Sequence, residues 1–318
     1  MTSLALYPIY MSDVPPHYTL QKEFAKHFSP FIVYDWVNIA KKIGLPKTQE
    51  NFIQILKEKR PEYTFMQLQN PINMNVKTIV EMSKYTKILN WSGDIRQMPE
   101  WYKWFKDIGK EIHLTLFSNE TDVDILTAQG VRADYLQCGV DTAWYYQRPS
   151  LPNYPEIVFC CNDYGNFQLS PYRVQVVKAL KKEFGERFQI YGGGWEKHGI
   201  KTKWVDNKTE ADLYASCKIA ISVSNFDFKR YYSDRLLRIM ACGAFPLSHE
   251  FECLEKDYTV GKDIMTFANT DDLIQKCHHY LNNESERKAI AANALNKSKD
   301  TTWGKRAEEL IQVLNKWN

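Results

Sequence analysis

The stretch Tyr232-Ser-Asp-Arg-Leu-Leu-Arg-Ile-Met-Ala-Cys-Gly-Ala-Phe-Pro-Leu-Ser-His-Glu250 decides how this chain is read. A short helix is expected to open at Ser233 and Asp234, where a hydroxyl and a carboxylate suit a cap, and to close at Cys242-Gly243. A buried strand follows at once and ends in Ser-His-Glu. The amino end of that helix would offer main-chain N–H groups together with the fork-shaped cation of Arg235, a combination that suits a diphosphate.

Outward from this segment the same alternation runs through the whole chain. In the first half, apolar runs bounded by turn residues read as strands over 4–8, 31–36, 63–69, 87–93, 112–118 and 134–139. Amphipathic stretches over 20–27, 49–59, 76–85, 100–108 and 120–129 read as helices. In the second half, strands are expected over 157–162, 188–193, 203–205, 218–224, 244–248 and 264–267. Helices are expected over 171–184, 210–216, 233–241, 271–281, 285–298 and 302–317. Strand, helix, strand at this spacing argues for parallel sheets covered on both faces, an α/β class. Three prolines between Gln147 and Pro155 break the pattern, so the domain boundary is placed there, giving 1–148 and 149–318. The last helix has apolar side chains to cover and is expected to pack back on the first domain. Two doubly wound domains in tandem would leave a cleft at the carboxyl ends of their strands, where open α/β sheets bind ligands.

Length supports two domains: 318 residues are many for one core. A hydrophobic share of 44% with 25% charged residues describes a globular chain, and a net charge of +3 does not demand a polyanionic partner. Aromatics are abundant at 14%, and packing is the simpler use of most of them. Seven cysteines without a Cys-x-x-Cys spacing fit buried, reduced thiols and a cytoplasmic location. The amino terminus lacks a basic segment followed by a long apolar core, and no apolar run reaches the roughly 18 residues of a membrane span.

Four segments of the second half should meet at one sheet edge. Phe159-Cys-Cys-Asn-Asp-Tyr-Gly-Asn166 leads from a strand into a polar loop, with Asn162 and Tyr164 as donors and Arg173 on the next helix. An ordinary strand-to-helix connection explains the same residues. Ile190-Tyr-Gly-Gly-Gly-Trp-Glu196 follows a strand with three glycines, costly unless the backbone is unusual or a ligand comes close, and a flat base against Gly193, Gly194 and Trp195 would account for them. The third segment is Ala220-Ile-Ser-Val-Ser-Asn225 with the polar and aromatic loop after it. The fourth is Tyr232-Ser233-Asp234-Arg235, where the position of Arg235 at a helix start favours phosphate over a surface carboxylate.

The order of several motifs resembles the B-type glycosyltransferase superfamily, built from two Rossmann-like domains. Within it the chain is similar to the spore-maturation-protein-like (CgeB-type) branch. The carriers are Asn90-Trp-Ser-Gly-Asp94-Ile-Arg96, Tyr135-Leu-Gln-Cys-Gly-Val-Asp141, Val158-Phe-Cys-Cys-Asn162, Tyr191-Gly-Gly-Gly-Trp195, Ser233-Asp-Arg235, Ala241-Cys-Gly-Ala244 and the run from Ser298 through Asp300, Thr302 and Trp303 to Arg306. The resemblance implies transfer of a sugar from a nucleotide diphosphate sugar, expected to be UDP-linked, to an acceptor hydroxyl. It implies a donor held by the second domain and neither metal nor cofactor, the helix terminus and basic side chains neutralising the leaving diphosphate. Donor contacts are expected from Asn162, Tyr164, Arg173, Gly193, Gly194, Trp195, Tyr232, Ser233 and Arg235.

One departure stands out. Many related transferases carry two glutamates separated by seven intervening residues, and the equivalent positions here are Arg230 and Arg238. They become possible donor or acceptor contacts, with Arg96, or else Arg238 faces solvent or a salt bridge. The first domain should bring the acceptor site and any general base. Asp94, after a strand and Gly93, can accept a proton or merely organise its loop; Asp13 and His17 compete with it. Three rival readings remain: a DNA-modifying transferase using Trp101, Tyr102, Lys103, Trp104 and Lys106, a nucleotide-sugar epimerase or hydrolase, and a domain that only binds.

Overall fold

The computed structural model describes residues 4–7, 18–69, 74–93 and 99–317. The chain divides into two compact units, Met1–Cys138 with Trp303–Asn318, and Gly139–Thr302.

In unit 1 the elements run β1 (Leu4–Tyr7), α1 (Tyr18–His27), β2 (Phe31–Val33), α2 (Trp36–Ile43), α3 (Leu45–Lys59), β3 (Tyr63–Met66), α4 (Val76–Ser83), β4 (Lys87–Ser92), α5 (Pro99–Gly109), β5 (Leu114–Phe117), α6 (Glu120–Thr127) and β6 (Ala133–Tyr135). The sheet is parallel, in the order β2-β1-β3-β4-β5-β6. β3 and β5 are buried on both faces, and their sequences are apolar except for the buried threonines Thr64 and Thr115. One correction falls on 31–36, which is not one strand. Asp35 caps a new helix by accepting from the Asn38 N–H at 3.3 Å, and Trp36 turns inward to pack on Tyr34 and Phe52. Capping thus overrides the β propensity of the residues around it.

The final helix, α12 (Trp303–Trp317), belongs to unit 1. Trp303 is 1% exposed and meets Phe24 and Trp91 edge-on at 6.5 and 5.9 Å, each such pair contributing about 0.5–1.5 kcal/mol beyond its buried area. Lys316 Nζ and Trp317 Nε1 donate to Asp134 at 2.9 and 2.7 Å.

Unit 2 runs β7 (Ile157–Cys160), α7 (Ser170–Phe184), β8 (Phe188–Tyr191), α8 (Asn207–Ser216), β9 (Ile219–Ser222), α9 (Asp234–Ala241), β10 (Pro246–His249), β11 (Met265–Phe267), α10 (Thr270–Asn282) and α11 (Glu284–Ser298). Its parallel sheet has the order β11-β10-β9-β7-β8. The stretch 203–205 is no strand: only Lys203 bridges to Tyr191. The unit begins ten residues before the proline-rich stretch, because the chain is tied down earlier. Val140 donates to the Thr301 carbonyl at 2.8 Å, and Tyr145 hydrogen-bonds Glu210 at 2.5 Å. Proline spacing marks where regular structure stops, not where packing changes hands.

Candidate functional site

Strand order fixes where a ligand can enter unit 2. From β7 the chain proceeds to β8 on one side, then returns to β9, β10 and β11 on the other, so the crevice opens at the carboxyl ends of β7 and β9. The loops leaving these strands and the start of α9 gather there, held by two arginines.

Arg173, on α7, is 1% exposed. Its Nη2 donates to the Asn162 carbonyl at 2.9 Å and its Nη1 to the Asn225 side-chain oxygen, joining the loop after β7 to the loop after β9. Its Nε is buried without a partner. Arg235, on the first turn of α9, donates from Nε to the Cys160 carbonyl at 2.5 Å and from Nη1 to the Val223 carbonyl and Ser233 Oγ, both at 3.1 Å. Both guanidinium carbons lie over the Phe159 ring, 5.8 and 5.3 Å from its centroid. Among the described residues neither arginine forms an ion pair with a carboxylate, whereas Arg230, Arg238 and Arg306 all do. Two positive charges at one strand edge with no paired carboxylate cost free energy unless an anion or water completes them.

The three glycines have a different cause from a bound base. Asp163 N–H donates to the Gly193 carbonyl at 2.9 Å and Gly193 N–H to Asn162 Oδ1 at 2.8 Å, so the loops after β7 and β8 lie against each other. Gly192 and Gly194 have φ of +126° and +84°, and a Cβ on either would sit 2.2 and 2.1 Å from the carbonyl oxygens of Cys161 and Asp163. Gly193 alone has room beside it, with Asn162 Oδ1 at 3.9 Å as its nearest neighbour. Trp195 is fully buried, its Nε1 donating to the Cys161 carbonyl at 2.8 Å, so it cannot present a ring face to a ligand. Tyr232 is likewise 2% exposed, packed on Phe251 and Tyr258. Both residues support the site from beneath instead of lining it.

Ser233 occupies the cap position of α9 without capping it through its side chain, because its Oγ accepts from Arg235. Asn162 spends its carbonyl oxygen on Gly193, while Tyr164, 54% exposed, rests edge-on against Phe167 at 5.1 Å. The two arginines at the expected glutamate positions are engaged elsewhere. Arg230 makes a fork-to-fork pair with Asp257 at 2.9 and 2.7 Å. Arg238 bridges Glu210 at 3.0 Å and Asp234, with its guanidinium 4.9 Å from the Tyr145 ring. Neither is free to receive a sugar or a ribose. Asp13, His17, Asp94 and Arg96 lie outside the described residues.

Sequence reasoning missed Asp163, whose side chain is 1% exposed and accepts from Lys197 Nζ at 2.9 Å, His198 Nε2 at 2.8 Å and the Gly165 N–H at 3.0 Å. No local pattern announces a carboxylate whose partners come 34 and 35 residues later. Burial pushes its pKa up, but the hydrogen bonds from Lys197, His198 and Gly165 outweigh burial and leave it below the ordinary carboxylate value. A depressed folded pKa means stability that is complete above the unfolded value of about 4 and lost as pH falls through the lower folded value. Denaturant melts between pH 6 and pH 2.5 should therefore show Asp163→Asn losing part of the acid sensitivity of the unaltered chain. Parallel curves would exclude the carboxylate as its source.

Among the described residues no group of three or more His, Cys, Asp or Glu side chains gathers as metal ligands would. Residues 173–312, from Arg173 through most of α12, match the family model described as glycosyl transferase-like. That match covers less than half of the chain, so it shows a likeness to this family over most of unit 2 and of α12. The two parallel-sheet units of the chain have the B-type glycosyltransferase fold, as the solved structures it resembles show. HepE from Anabaena, crystallised with UDP-glucose, superposes with a TM-score of 0.69 at 11% identity over 98% of this chain and 99% of that one. A glycosyltransferase from Rickettsia africae gives 0.69 at 12% identity, over 99% and 98%. Sucrose-phosphate synthase from Thermosynechococcus elongatus gives 0.67 at 11% identity, over 99% of each chain. At these identities the likeness is one of fold. No curated protein sequence matches the chain.

Proposed function

We propose that this glycosyltransferase takes its sugar from a UDP-linked donor and passes it to an acceptor hydroxyl without a bound metal. We also place it near the spore-maturation branch of the superfamily. The observation that carries the reading is the pair Arg173 and Arg235, buried or half-buried at the carboxyl ends of β7 and β9, with no carboxylate paired to either among the described residues. When the bond from the anomeric carbon to the diphosphate oxygen breaks, negative charge grows on the leaving group. Fixed cations and the amino end of α9 are suited to stabilise it, which is the work a divalent metal does in other transferases. The UDP moiety is supported by HepE, whose structures hold UDP-glucose, UDP, and UDP with glucose. Arg235 would touch the diphosphate, Gly193 and Tyr164 would lie beside the nucleotide, and Arg173 and Asn162 would hold the loops. A reducing, cytoplasmic setting suits the seven free cysteines.

The DNA-modifying alternative loses its main support. Trp104 and Phe105 are buried, Trp101 and Tyr102 are half-buried against the same core, and the Tyr102 hydroxyl donates to Asp122 at 2.6 Å, so packing accounts for the aromatic side chains of α5.

Calorimetry with UDP, UDP-glucose and UMP, each with EDTA and then with magnesium, tests the reading. UDP should bind with the same affinity in both buffers and more tightly than UMP. Dependence on magnesium would remove the metal-free claim, and no heat from any nucleoside diphosphate would remove the donor site.

A further inference from the structure

Unit 1 carries a second candidate site at the opposite edge of its sheet from the strand carboxyl ends. A cavity of about 370 Å³ opens at the amino ends of β4 and β5, near the lower end of the range for small-molecule sites. Lys87, Lys110 and Arg132 line it against one carboxylate, Glu111, with His113 among them. Arg132 Nη1 lies 3.4 Å from His113 Nδ1, so this guanidinium faces an imidazole and not an acid. Among the described residues neither Arg132 nor Lys110 forms an ion pair. Asp107, which senses Lys110, is hydrogen-bonded to Lys103 at 2.7 Å.

A simpler origin for these cations is the helix dipole, because α4, α5 and α6 end nearby and carboxyl ends favour positive charge. That influence fades within a turn, and it is partly met in each last turn: Met82 accepts from Tyr85, Ile108 from Ile112, and Leu126 from Val131. Lys87 Nζ lies 5.4 Å from the centroid of the Tyr63 ring, which leaves Lys110 and Arg132 as the two cations of the lining without an ion pair among the described residues, and a concave wall concentrates their field. Glu111 and the Ser83 hydroxyl, 3.4 Å apart, add acceptor capacity that a bare anion would not use but a hydroxylated ligand would.

We propose that this cavity binds the phosphomonoester of a small sugar, the phosphate between Lys110 and Arg132 and the sugar hydroxyls on Glu111 and Ser83. The inference goes beyond the donor site and does not rest on it. Its test is calorimetry of the full chain with glucose 6-phosphate, glucose and inorganic phosphate, performed in an Arg235→Ala background so that phosphate contacts in unit 2 are reduced in every arm. Glucose 6-phosphate should bind at least tenfold more tightly than inorganic phosphate, glucose should give no heat, and Arg132→Glu or Lys110→Glu should weaken the binding at least tenfold. Neither substitution should change UDP affinity in the otherwise unaltered chain, which reports on unit 2 separately. Undiminished binding in both charge-reversal variants, or equal affinity for inorganic phosphate, overturns the proposal.

Discussion

Arg235→Ala should weaken UDP binding by about 1.5–3 kcal/mol, roughly 10- to 150-fold in Kd, the usual effect of removing a charge-assisted hydrogen bond to a buried anion. The side chain is half-buried at the start of α9. Its Nε and Nη1 are committed to the carbonyls of Cys160 and Val223 and to Ser233, which fixes the fork and leaves Nη2 for a ligand. The same bonds mean that alanine also frees two strand-end carbonyls, so the variant needs a companion. Arg235→Lys keeps the charge but not the planar fork, and should fall between the two in affinity. A titration showing the native Kd in Arg235→Ala would take this residue out of the site, and with it the reading that α9 opens onto a diphosphate.

Trp195→Ala should cost about 3–5 kcal/mol of stability, the range for emptying a fully buried indole, and lower the unfolding temperature of unit 2 by about 6–20 °C. Trp195 has no solvent exposure, sits in the main core of unit 2, and ties the loop after β8 to the Cys161 carbonyl at 2.8 Å. Differential scanning calorimetry measures the effect. Trp195→Phe keeps most of the apolar volume and loses only the N–H, so its cost should be nearer the 1–3 kcal/mol of an unsatisfied buried carbonyl. A melting temperature unchanged in Trp195→Ala would contradict the structural role, and would restore the idea that this ring lies on the surface where a base could stack.

These two residues show where reading by sequence succeeds and where it stops. The place of Arg235 was legible, because a cap-like Ser-Asp pair before an apolar run marks a helix start, and the structure puts that start beside the carboxyl ends of β7 and β9; its contact with a diphosphate is the proposal that the Arg235→Ala titration tests. Trp195 was misread because exposure is not a local property. The glycines before it look like a cradle for a ligand, yet Gly192 and Gly194 accommodate the neighbouring chain. Arg230 and Arg238 carry the same lesson: in sequence they replace a pair of acids, and in space each has found acids of its own in Asp257, Glu210 and Asp234.

By itself the sequence determined the alternation of strand and helix, the parallel sheets and the short helix that starts at Asp234. Those follow from period, capping and turn chemistry, which act over a few residues. Only the tertiary structure decided that Arg173 and Arg235 stand without a paired carboxylate among the described residues while Arg230 and Arg238 have one, that the buried Asp163 holds two loops through Lys197 and His198, and that α12 packs with unit 1. Charge pairing and burial depend on which distant segments the fold brings within a few ångströms, and no stretch of chain records that alone.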